Sequence, residues 1–398
     1  MTTAAGPEAA DGVAAATSTS DVVFTFSFDS WGDAVVRGMH RPPERLVTTM
    51  RDHPRVGRLL VANPYRSGPI RAARALLGRA EPGFETTAEH SLVTPLRLRR
   101  QDPTDVPQLA AAYGRYDRAM ARAAVARGLR APVLITTNPF VAAYCPAEWA
   151  RRVVFYARDD WSELPARRPW WPAYRAAYRE LQVNGRAVMA VSPQIIERIA
   201  PSGPALVAPN GIDPQEWLGP APEPPSWFTD APPGPRAVYV GMLDTRIDAE
   251  GLAQVARAHP ELQVFLVGTT EDPRHLEALT RLPQVHVHGP VDRADVVSLL
   301  RRADVCLIAH RRTRLTEAMS PLKLYEYLAA GAPVLTPAFG PVQGVHPHVL
   351  LTDDVPGFTE ALPGALALGP MAEEERRAFV AANSWRARHD DMLAFCLD

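Results

Sequence analysis

The stretch that decides the fold is Ser320-Pro-Leu-Lys-Leu-Tyr-Glu-Tyr-Leu-Ala-Ala-Gly-Ala-Pro-Val334, a helical pattern that runs directly into an apolar segment. Ser320 is a good helix cap and Pro321 a good first helical residue, so we expect a helix to start here with Lys323 in its first turn. The strand Pro333–Thr336 should follow it. A helix of this length joined directly to a buried strand is typical of α/β domains.

Lys323 is the one lysine among 43 basic residues, so lysine is not the default cation of this chain. An ammonium is unfavourable at the positive end of a helix unless an anion binds in front of it. Glu326, one turn further on, shares its face and can accept hydrogen bonds from hydroxyl groups. Together they suit a sugar nucleotide, with phosphate beside the lysine. The alternative is a surface lysine that happens to fall in a first turn.

The same alternation of apolar segments and helices extends outward in both directions, which predicts parallel sheets covered on both faces. The predicted strands of the second half are Ala237–Met242, Gln263–Val267, Val285–His288, Val305–Ala309, Pro333–Thr336 and Val349–Leu351. Those of the first half are Val22–Phe28, Leu59–Asn63, Val133–Thr137, Val153–Ala157, Ala187–Val191 and Leu206–Ala208.

Seven prolines in Gly219–Pro235 should exclude regular structure and mark a linker. We therefore predict a disordered tail (1–20), a first Rossmann-like domain (21–218), the linker (219–235), a second Rossmann-like domain (236–371) and one long C-terminal helix (372–398). Two doubly wound domains imply a cleft, with ligands beyond the carboxyl ends of the strands.

Composition places the chain among globular proteins, since 46% of its 398 residues are hydrophobic and 22% are charged. Three widely spaced cysteines and the lack of a signal peptide or bilayer-length apolar run suggest a cytoplasmic protein. A net charge of −1 argues against nucleic-acid binding. Residues 21–215 nevertheless carry an excess of nine positive charges, suited to an anionic acceptor or a membrane surface, or simply to pairing with the acidic second half.

Residues 187–336 resemble the nucleotide-sugar-dependent glycosyltransferases of the GT-B fold, and most closely the retaining family 4 branch with teichuronic-acid-type bacterial members. The motifs that carry the resemblance lie in the family's order and spacing: Val191-Ser-Pro193, Ala208-Pro-Asn-Gly-Ile-Asp213, Val240-Gly-Met-Leu-Asp-Thr-Arg-Ile-Asp248, Phe265-Leu-Val-Gly268, Val287-His-Gly-Pro-Val291, Ala303-Asp-Val305 and Ser320 to Val334. Weaker matches are Val154–Trp161 and Phe28–Asp33.

The resemblance implies that Lys323 faces the donor diphosphate and that Glu326 holds the ribose hydroxyls. Arg246, in a loop after a strand, would be a second cation on the diphosphate, or else would pair with Asp244 or Asp248. We expect Asp248 itself to cap the next helix and not to contact substrate. The remaining donor-side candidates are Gly241, Gly268, Val291, Ser320, Pro321 and Leu322.

One departure from the family pattern concerns a second glutamate, eight positions before Glu326, that contacts the transferred sugar in many members. Ala318 stands at that position, and Glu317 is one residue out of register. The departure leaves open which residue contacts the hydroxyl groups of the transferred sugar. It also makes a catalytically degenerate nucleotide-binding scaffold conceivable.

Several candidates on the acceptor side end predicted strands. Asp160, with Asp159, could orient or help to deprotonate an acceptor hydroxyl, or could pair structurally with Arg158 or Arg167. His310 could contact donor or acceptor, or cap a loop. Trp31 and Gly32 lie where the first strand turns into its helix, and a close approach to ligand is plausible there.

We expect no metal and no cofactor besides the donor, because the sequence has no Asp-x-Asp motif and no cluster with metal-ligand spacing. The predicted function is metal-free, retaining sugar transfer to a small-molecule, glycan or lipid-linked acceptor in polysaccharide or cell-envelope synthesis, with contact at the inner membrane face. Its enzymatic alternatives are an inverting transferase of secondary metabolism and a GT-B nucleotide-sugar epimerase.

Overall fold

The structure is a computed structural model that describes residues 19–77 and 82–398. The first 18 residues of the predicted tail lie outside these ranges, and the first strand already begins at Ser20. Thus the prediction for residues 1–18 stays a prediction.

The first half forms a seven-stranded sheet in the order β4-β2-β1-β6-β7-β8-β9, in which every pair is parallel. A separate two-residue ladder joins β3 to β5. The strands are β1 (Ser20–Thr25), β2 (Val56–Ala62), β3 (Arg66–Ser67), β4 (His90–Val93), β5 (Leu96–Arg97), β6 (Val133–Thr136), β7 (Arg152–Ala157), β8 (Ala187–Ala190) and β9 (Ala205–Val207).

Helices connect these strands, together with a 3₁₀ turn at Pro165–Trp170. They are α1 (Trp31–Val36), α2 (Pro42–Asp52), α3 (Gly68–Leu76), α4 (Val106–Ala126), α5 (Pro139–Tyr144), α6 (Trp171–Leu181) and α7 (Pro193–Ile199). The sequence predicted neither β4 nor the β3–β5 ladder, because the short segments around them carry no clear period-2 pattern.

The predicted linker is less irregular than expected. The one-turn helix α9 (Ser226–Thr229) lies within it, and the one-turn helix α8 (Pro214–Trp217) ends just before it. The side chains of Trp217 and Phe228 are fully buried in the core of the second domain. The prediction that the prolines exclude regular structure was therefore wrong, because two buried aromatic rings anchor this segment.

The second half forms a six-stranded parallel sheet in the order β12-β11-β10-β13-β14-β15. Its strands are β10 (Arg236–Val240), β11 (Gln263–Val267), β12 (Val285–His288), β13 (Val305–Leu307), β14 (Val334–Pro337) and β15 (Val349–Thr352). Its helices are α10 (Ala249–Ala258), α11 (Glu277–Thr280), α12 (Arg293–Arg301), α13 (Arg314–Ala318), α14 (Leu322–Ala330) and α15 (Phe358–Leu368), with 3₁₀ turns at Pro273–Leu276 and Gly340–Val342.

Both sheets have the doubly wound order. When the strands of each sheet are numbered by their sequence order within that sheet, they run 3-2-1-4-5-6, and the first sheet adds a seventh strand at the end. This confirms the predicted fold class of two Rossmann-like domains. The order reverses between β1 and β6 in the first sheet and between β10 and β13 in the second. Ligands of such sheets bind beyond the carboxyl ends of the strands at these two places. The exact domain boundaries that we predicted stay predictions.

The C-terminal segment is two helices, α16 (Glu373–Ala382) and α17 (Trp385–Leu397), so the prediction of one long helix was wrong. Ser384 caps α17 through its side chain and ends the continuity. Met392 and Leu393 of α17 are buried in the core of the first domain. The chain therefore crosses back from the second domain to the first.

The cap predicted for the decisive helix was also one residue off. Helix α14 begins at Leu322 with Pro321 as its cap residue, and no side chain caps it. Lys323 still lies in the first turn, beside free backbone N–H groups. By contrast, Asp248 caps α10 as expected. No helix within residues 19–77 and 82–398 has the length and apolar character needed to cross a bilayer.

Candidate functional site

Two glycines at adjacent strand ends of the second sheet bring the backbone close together. Gly241 follows β10 and Gly268 follows β11, with φ of +145° and +148°. A Cβ on Gly268 would lie 1.9 Å from the carbonyl oxygen of Gly241, and a Cβ on Gly241 would lie 2.9 Å from Nζ of Lys323. Only glycine fits this conformation and leaves room for the lysine.

Lys323 extends from the first turn of α14 towards these glycines and is half-buried. Its Nζ lies 3.7 Å from the centroid of the Tyr239 ring and 3.5 Å from Nε2 of His310. Among the described residues, no carboxylate lies within 4.0 Å of this ammonium. Burial, and then the positive charge of Arg246, hold the pKa of Lys323 well below its usual value.

Arg246 lies in the loop after β10 and makes a bidentate pair with Asp244, with nitrogen–oxygen distances of 2.7 to 3.0 Å. Burial lowers the pKa of Arg246, but the hydrogen bond and charge of Asp244 and the more distant charge of Asp159 raise it above its usual value. Its Nη1 points at the sulfur of Met319 at 3.7 Å. The predicted pair with Asp244 thus forms, while one edge of the guanidinium stays clear of carboxylates among the described residues.

His310, which follows β13 at the point where the strand order reverses, is almost fully buried. Its Nε2 lies 3.1 Å from the Tyr239 hydroxyl, and its Nδ1 has no hydrogen-bond partner in the described chain. Burial, followed by the charges of Lys323 and Arg246, holds the pKa of His310 well below its usual range, so the ring is neutral at neutral pH. The neutral ring of His310 thus contacts both the Tyr239 hydroxyl and Nζ of Lys323 and helps to position them.

Glu326, on the same helix as Lys323, forms an ion pair with Arg293, with Nη1 of the arginine 2.8 Å from Oε1 of the glutamate. Arg293 also pairs with Glu216 of α8 at 2.6 Å. Burial raises the pKa of Glu326, although the Arg293 charge opposes this. The carboxylate is therefore held in place by a cation before any ligand arrives.

A cavity of about 510 Å³ opens between the two domains in front of Glu326. Val291 and Leu322 line it from the second domain. Arg41, the cap residue of α2, and Arg45 within α2 line it from the first. Three of the predicted donor-side residues, Val291, Leu322 and Glu326, therefore share one interdomain space.

Two hydrogen bonds join the loop before α14 to the first domain. The side chain of Asn210 donates to the Ser320 carbonyl oxygen at 2.8 Å, and the Ser192 hydroxyl donates to that of Ala318. Both carbonyls are thereby occupied, and Pro321 is buried beside them. These contacts fix the start of α14 relative to the cleft.

Ala318 is fully buried, so the family's missing glutamate has no carboxylate substitute at that point. Glu317 pairs with Arg312 at 3.3 Å on the outer side of α13. The out-of-register glutamate is therefore engaged by Arg312 and forms no ion pair with Lys323.

The two acceptor-side carboxylates at the end of β7 differ. Asp160 is buried and accepts from the backbone N–H and hydroxyl of Ser162, at 3.0 and 2.8 Å, and from the Arg198 guanidinium. The expected structural partners Arg158 and Arg167 were wrong, because a long-range contact with α7 supplies the cation. Asp159 makes no side-chain hydrogen bond with the residues that the structure describes, and its charge acts on Arg246 of the second domain.

Trp31 packs its ring on Phe84, with centroids 4.8 Å apart, and its backbone N–H donates to Asn63. Gly32 is buried within α1. Both therefore support the first domain. The structure brings Lys323, Arg246 and Asp159 within electrostatic reach of one another, but it shows no hydrogen bond or ion pair from Trp31 or Gly32 to any of the three.

One group in the described chain could hold a metal ion: His346, His348 and Glu375, whose ligand atoms lie within 4.8 Å of one another. The two histidines precede β15, at the amino edge of the second sheet, whereas Gly241 and His310 lie at the carboxyl edge. The sequence did not predict this group, because Glu375 is far away along the chain.

A cavity of about 530 Å³ lies at the carboxyl edge of the first sheet and is lined by six arginines. Sequence reasoning missed it. The signal was the excess of positive charge in residues 21–215, but the strands that gather these arginines could not be assigned.

Comparisons with known proteins agree with this geometry. Residues 234–367 match the family described as glycosyl transferases group 1. A provisionally named teichuronic acid biosynthesis glycosyltransferase of Bacillus subtilis (strain 168), TuaH, is 29% identical over 99 residues, which are 24% of this chain and 25% of that protein. The match thus spans about a quarter of this relative.

Similar solved structures cover both domains. Sucrose-phosphate synthase from Thermosynechococcus elongatus has a TM-score of 0.65 at 16% identity, over 94% of this chain and 98% of that one. Trehalose 6-phosphate synthase from Burkholderia multivorans has a TM-score of 0.67 at 12% identity, with the same coverage of 94% and 98%. At such low identity these likenesses establish the two-domain GT-B fold.

Proposed function

We propose that this protein, whose second domain is a glycosyltransferase group 1 domain, transfers a sugar from a nucleoside diphosphate sugar to a hydroxyl group of an acceptor. The observation that carries the proposal is the position of Lys323. Its ammonium has no carboxylate partner among the described residues and lies against Gly241, at the strand ends where doubly wound sheets bind ligands.

The donor diphosphate binds between Lys323, the amino end of α14 and the clear edge of Arg246. When the bond between the anomeric carbon and the phosphate oxygen breaks, its electron pair stays on the phosphate. The two cations stabilise that charge in a site partly shielded from water. Glu326 accepts hydrogen bonds from the ribose hydroxyls, and the backbone near Gly268 and Val291 surrounds the base.

Transfer proceeds with retention, and the departing phosphate oxygen takes the proton of the acceptor hydroxyl. Two of the three nearby carboxylates are engaged by arginines, which argues against either of them as a covalent nucleophile. Asp244 is held by Arg246, and Asp160 by Arg198. Asp159 remains to orient the acceptor hydroxyl.

The proposed transfer needs no divalent metal, because Lys323 and Arg246 supply the positive charge at the diphosphate. Turnover should survive EDTA. Loss of turnover that only a divalent ion restores would overturn this part of the proposal.

A nucleotide-binding scaffold without turnover is the second candidate, and the buried Ala318 favours it. An inverting transferase and a nucleotide-sugar epimerase share the fold, and the product distinguishes them. NMR of the product reads the anomeric linkage and the fate of the donor. Retention with transfer supports the proposal, whereas inversion, epimerised donor or no turnover with any donor would contradict it.

We place the acceptor in cell-envelope or polysaccharide synthesis, which the match to TuaH supports. The donor class can be found by thermal shift with UDP, GDP, dTDP and ADP sugars, because a ligand that binds the native state raises the melting temperature. A failure of all four classes to stabilise the protein would argue against the donor site.

We further propose peripheral contact with an anionic bilayer. Helix α3 has no buried residue, and Leu76 and Leu98 are 89% and 86% exposed. The β3–β5 ladder brings the two segments together, and exposed Arg71 and Arg74 accompany them. Apolar side chains among arginines suit an anionic lipid surface.

Sedimentation with phosphatidylglycerol vesicles tests this contact. The double variant Leu76→Ser, Leu98→Ser should bind less than wild type. The matched control is Val125→Ser, which changes an apolar side chain on α4 that is 75% exposed. Equal sedimentation of all three proteins would refute the contact.

A further inference from the structure

The cavity at the carboxyl edge of the first sheet has a one-sided charge. The residues that follow β1, β2 and β5 meet there with the segment before α6, and together they enclose about 530 Å³. We call it the arginine cavity after its basic lining residues: Arg66, Arg71, Arg74, Arg97, Arg100 and Arg167. Asp102 is the one carboxylate in its lining, which leaves a formal excess of five positive charges.

That carboxylate is already engaged. Asp102 pairs with Arg97 and accepts a hydrogen bond from the Tyr113 hydroxyl at 3.3 Å. Arg66 pairs with Asp33 at 2.7 Å. Within residues 19–77 and 82–398, the other four arginines have no carboxylate within 4.0 Å. Gathering guanidinium groups around an open space without counterions costs free energy unless an anion binds there.

Aromatic rings fix the orientation of two guanidinium groups. The carbon of the Arg167 guanidinium lies 3.5 Å from the centroid of Phe28, and that of Arg97 lies 5.2 Å from the centroid of Tyr65. The terminal N–H groups of Arg97 already donate to Asp102 and to the Arg100 carbonyl oxygen. The Arg167 guanidinium has no carboxylate within 4.0 Å among the described residues, so its N–H edge stays available for the oxygens of a phosphate. The lining also includes Trp170, whose ring can cover an apolar sugar face.

The arginine cavity adjoins the proposed reaction site. Phe28 packs against Trp161 with centroids 4.5 Å apart. Trp161 follows Asp159 by two residues, and the Asp159 charge reaches Arg246. A ligand with an anionic group in the cavity can therefore extend a hydroxyl group towards Asp159 and the donor.

The geometry points to the arginine cavity as the site that binds a phosphate group of the acceptor, so that the acceptor is a phosphorylated molecule. Calling the bound molecule an acceptor rests on the proposed sugar transfer. The binding of phosphate itself does not depend on it. The phosphate can belong to a small sugar phosphate or to a lipid headgroup, and the two sources share the same recognition chemistry.

Calorimetric titration with glucose 6-phosphate tests the small-molecule source. Arg100→Gln and Arg167→Gln should each weaken binding about tenfold or more, the usual consequence of losing a charge-assisted hydrogen bond. Arg122→Gln, an exposed arginine on α4, is the matched control and should bind like wild type. Arg100 is exposed, so its loss should leave the melting temperature unchanged and separates binding from folding.

Vesicle binding tests the lipid source. Phosphatidylcholine vesicles with phosphatidic acid present a phosphate monoester, and vesicles with phosphatidylglycerol provide a matched anionic surface without one. A preference for phosphatidic acid that Arg100→Gln and Arg167→Gln abolish assigns a lipid-borne phosphate. Binding of glucose 6-phosphate alone assigns a small one.

The inference would be overturned if the protein bound neither glucose 6-phosphate nor phosphatidic acid vesicles, or if neither Arg100→Gln nor Arg167→Gln changed the binding. Lys323→Met distinguishes this failure from failure of the proposed function. That variant should lose donor binding yet keep phosphate binding in the arginine cavity. If instead Lys323→Met removes glucose 6-phosphate binding, the phosphate occupies the donor site and the inference fails.

Discussion

Nζ of Lys323 lies 3.7 Å from the centroid of the Tyr239 ring, and no described carboxylate pairs with it. The electron-rich face of the ring offsets part of the cost of holding an ammonium there. The Tyr239 hydroxyl is itself held by the Met242 carbonyl at 3.0 Å and lies 3.1 Å from His310. The site is therefore organised before a ligand arrives, with a cation whose charge is only partly compensated.

Donor binding should take up a proton at Lys323. Burial and Arg246 lower the pKa of the free lysine, and a bound diphosphate would raise it again. Between these two pKa values each binding event adds a proton, so affinity falls as the pH rises through the free-state pKa. Calorimetry with a nucleotide sugar in two buffers of different ionisation enthalpy measures this uptake. Proton uptake that persists in Lys323→Met would contradict the assignment.

Gly268→Ala should destabilise the protein by about 3 kcal/mol. The new Cβ would meet the Gly241 carbonyl oxygen at 1.9 Å, at a φ of +148°. Gly289→Ala is the control, because no atom lies within 4 Å of its Cβ position, and it should change stability by less than about 1 kcal/mol. Urea denaturation measures both. Equal stabilities would show that β10 and β11 do not approach as described.

Glu326→Gln should weaken binding of the ribonucleotide about tenfold, since a charged acceptor of the ribose hydroxyls is lost. The 2′,3′-dideoxynucleotide lacks those hydroxyls and should bind wild type and variant alike. Arg293 keeps Glu216 as a partner, so the fold should remain. If the substitution weakens both nucleotides equally, Glu326 acts by positioning Arg293 and not through the ribose.

Substitution of Asp160 should mainly reduce stability, whereas substitution of Asp159 should mainly reduce transfer. Asp160→Asn removes the partner of Arg198 from a buried site and should cost about 2 kcal/mol or more of stability. Asp159→Asn should leave the melting temperature unchanged and reduce transfer, because Asp159 is only partly buried and its charge acts on Arg246 of the proposed donor site. Urea denaturation and turnover measured on both variants test this. Full turnover in Asp159→Asn would remove it from the acceptor site.

The sequence was sufficient for features that depend on neighbouring residues. The strand Gln263–Val267 has the predicted bounds, and Asp248 caps its helix. Lys323 was singled out by rarity and by its place in a first turn, which are local facts. Its role at the donor diphosphate stays a prediction.

Features that depend on distant residues were beyond the sequence. Arg198 is 38 positions from Asp160, and nothing local to either residue marks the pair. Helix α17 buries Met392 and Leu393 against the first domain, although it follows the second in the chain. The arginine cavity is assembled from segments after β1, β2 and β5, and the two-residue strands β3 and β5, which carry Arg66 and Arg97, are too short to recognise by pattern.

The central claim is that Lys323 binds the donor diphosphate, and calorimetric titration of Lys323→Met with the nucleoside diphosphate chosen by thermal shift tests it most directly. Arg257→Gln, an exposed arginine at the end of α10, serves as the control. We predict that Lys323→Met binds about a hundredfold more weakly than wild type, with an unchanged circular dichroism spectrum. Equal affinity of Lys323→Met, Arg257→Gln and wild type would contradict the account.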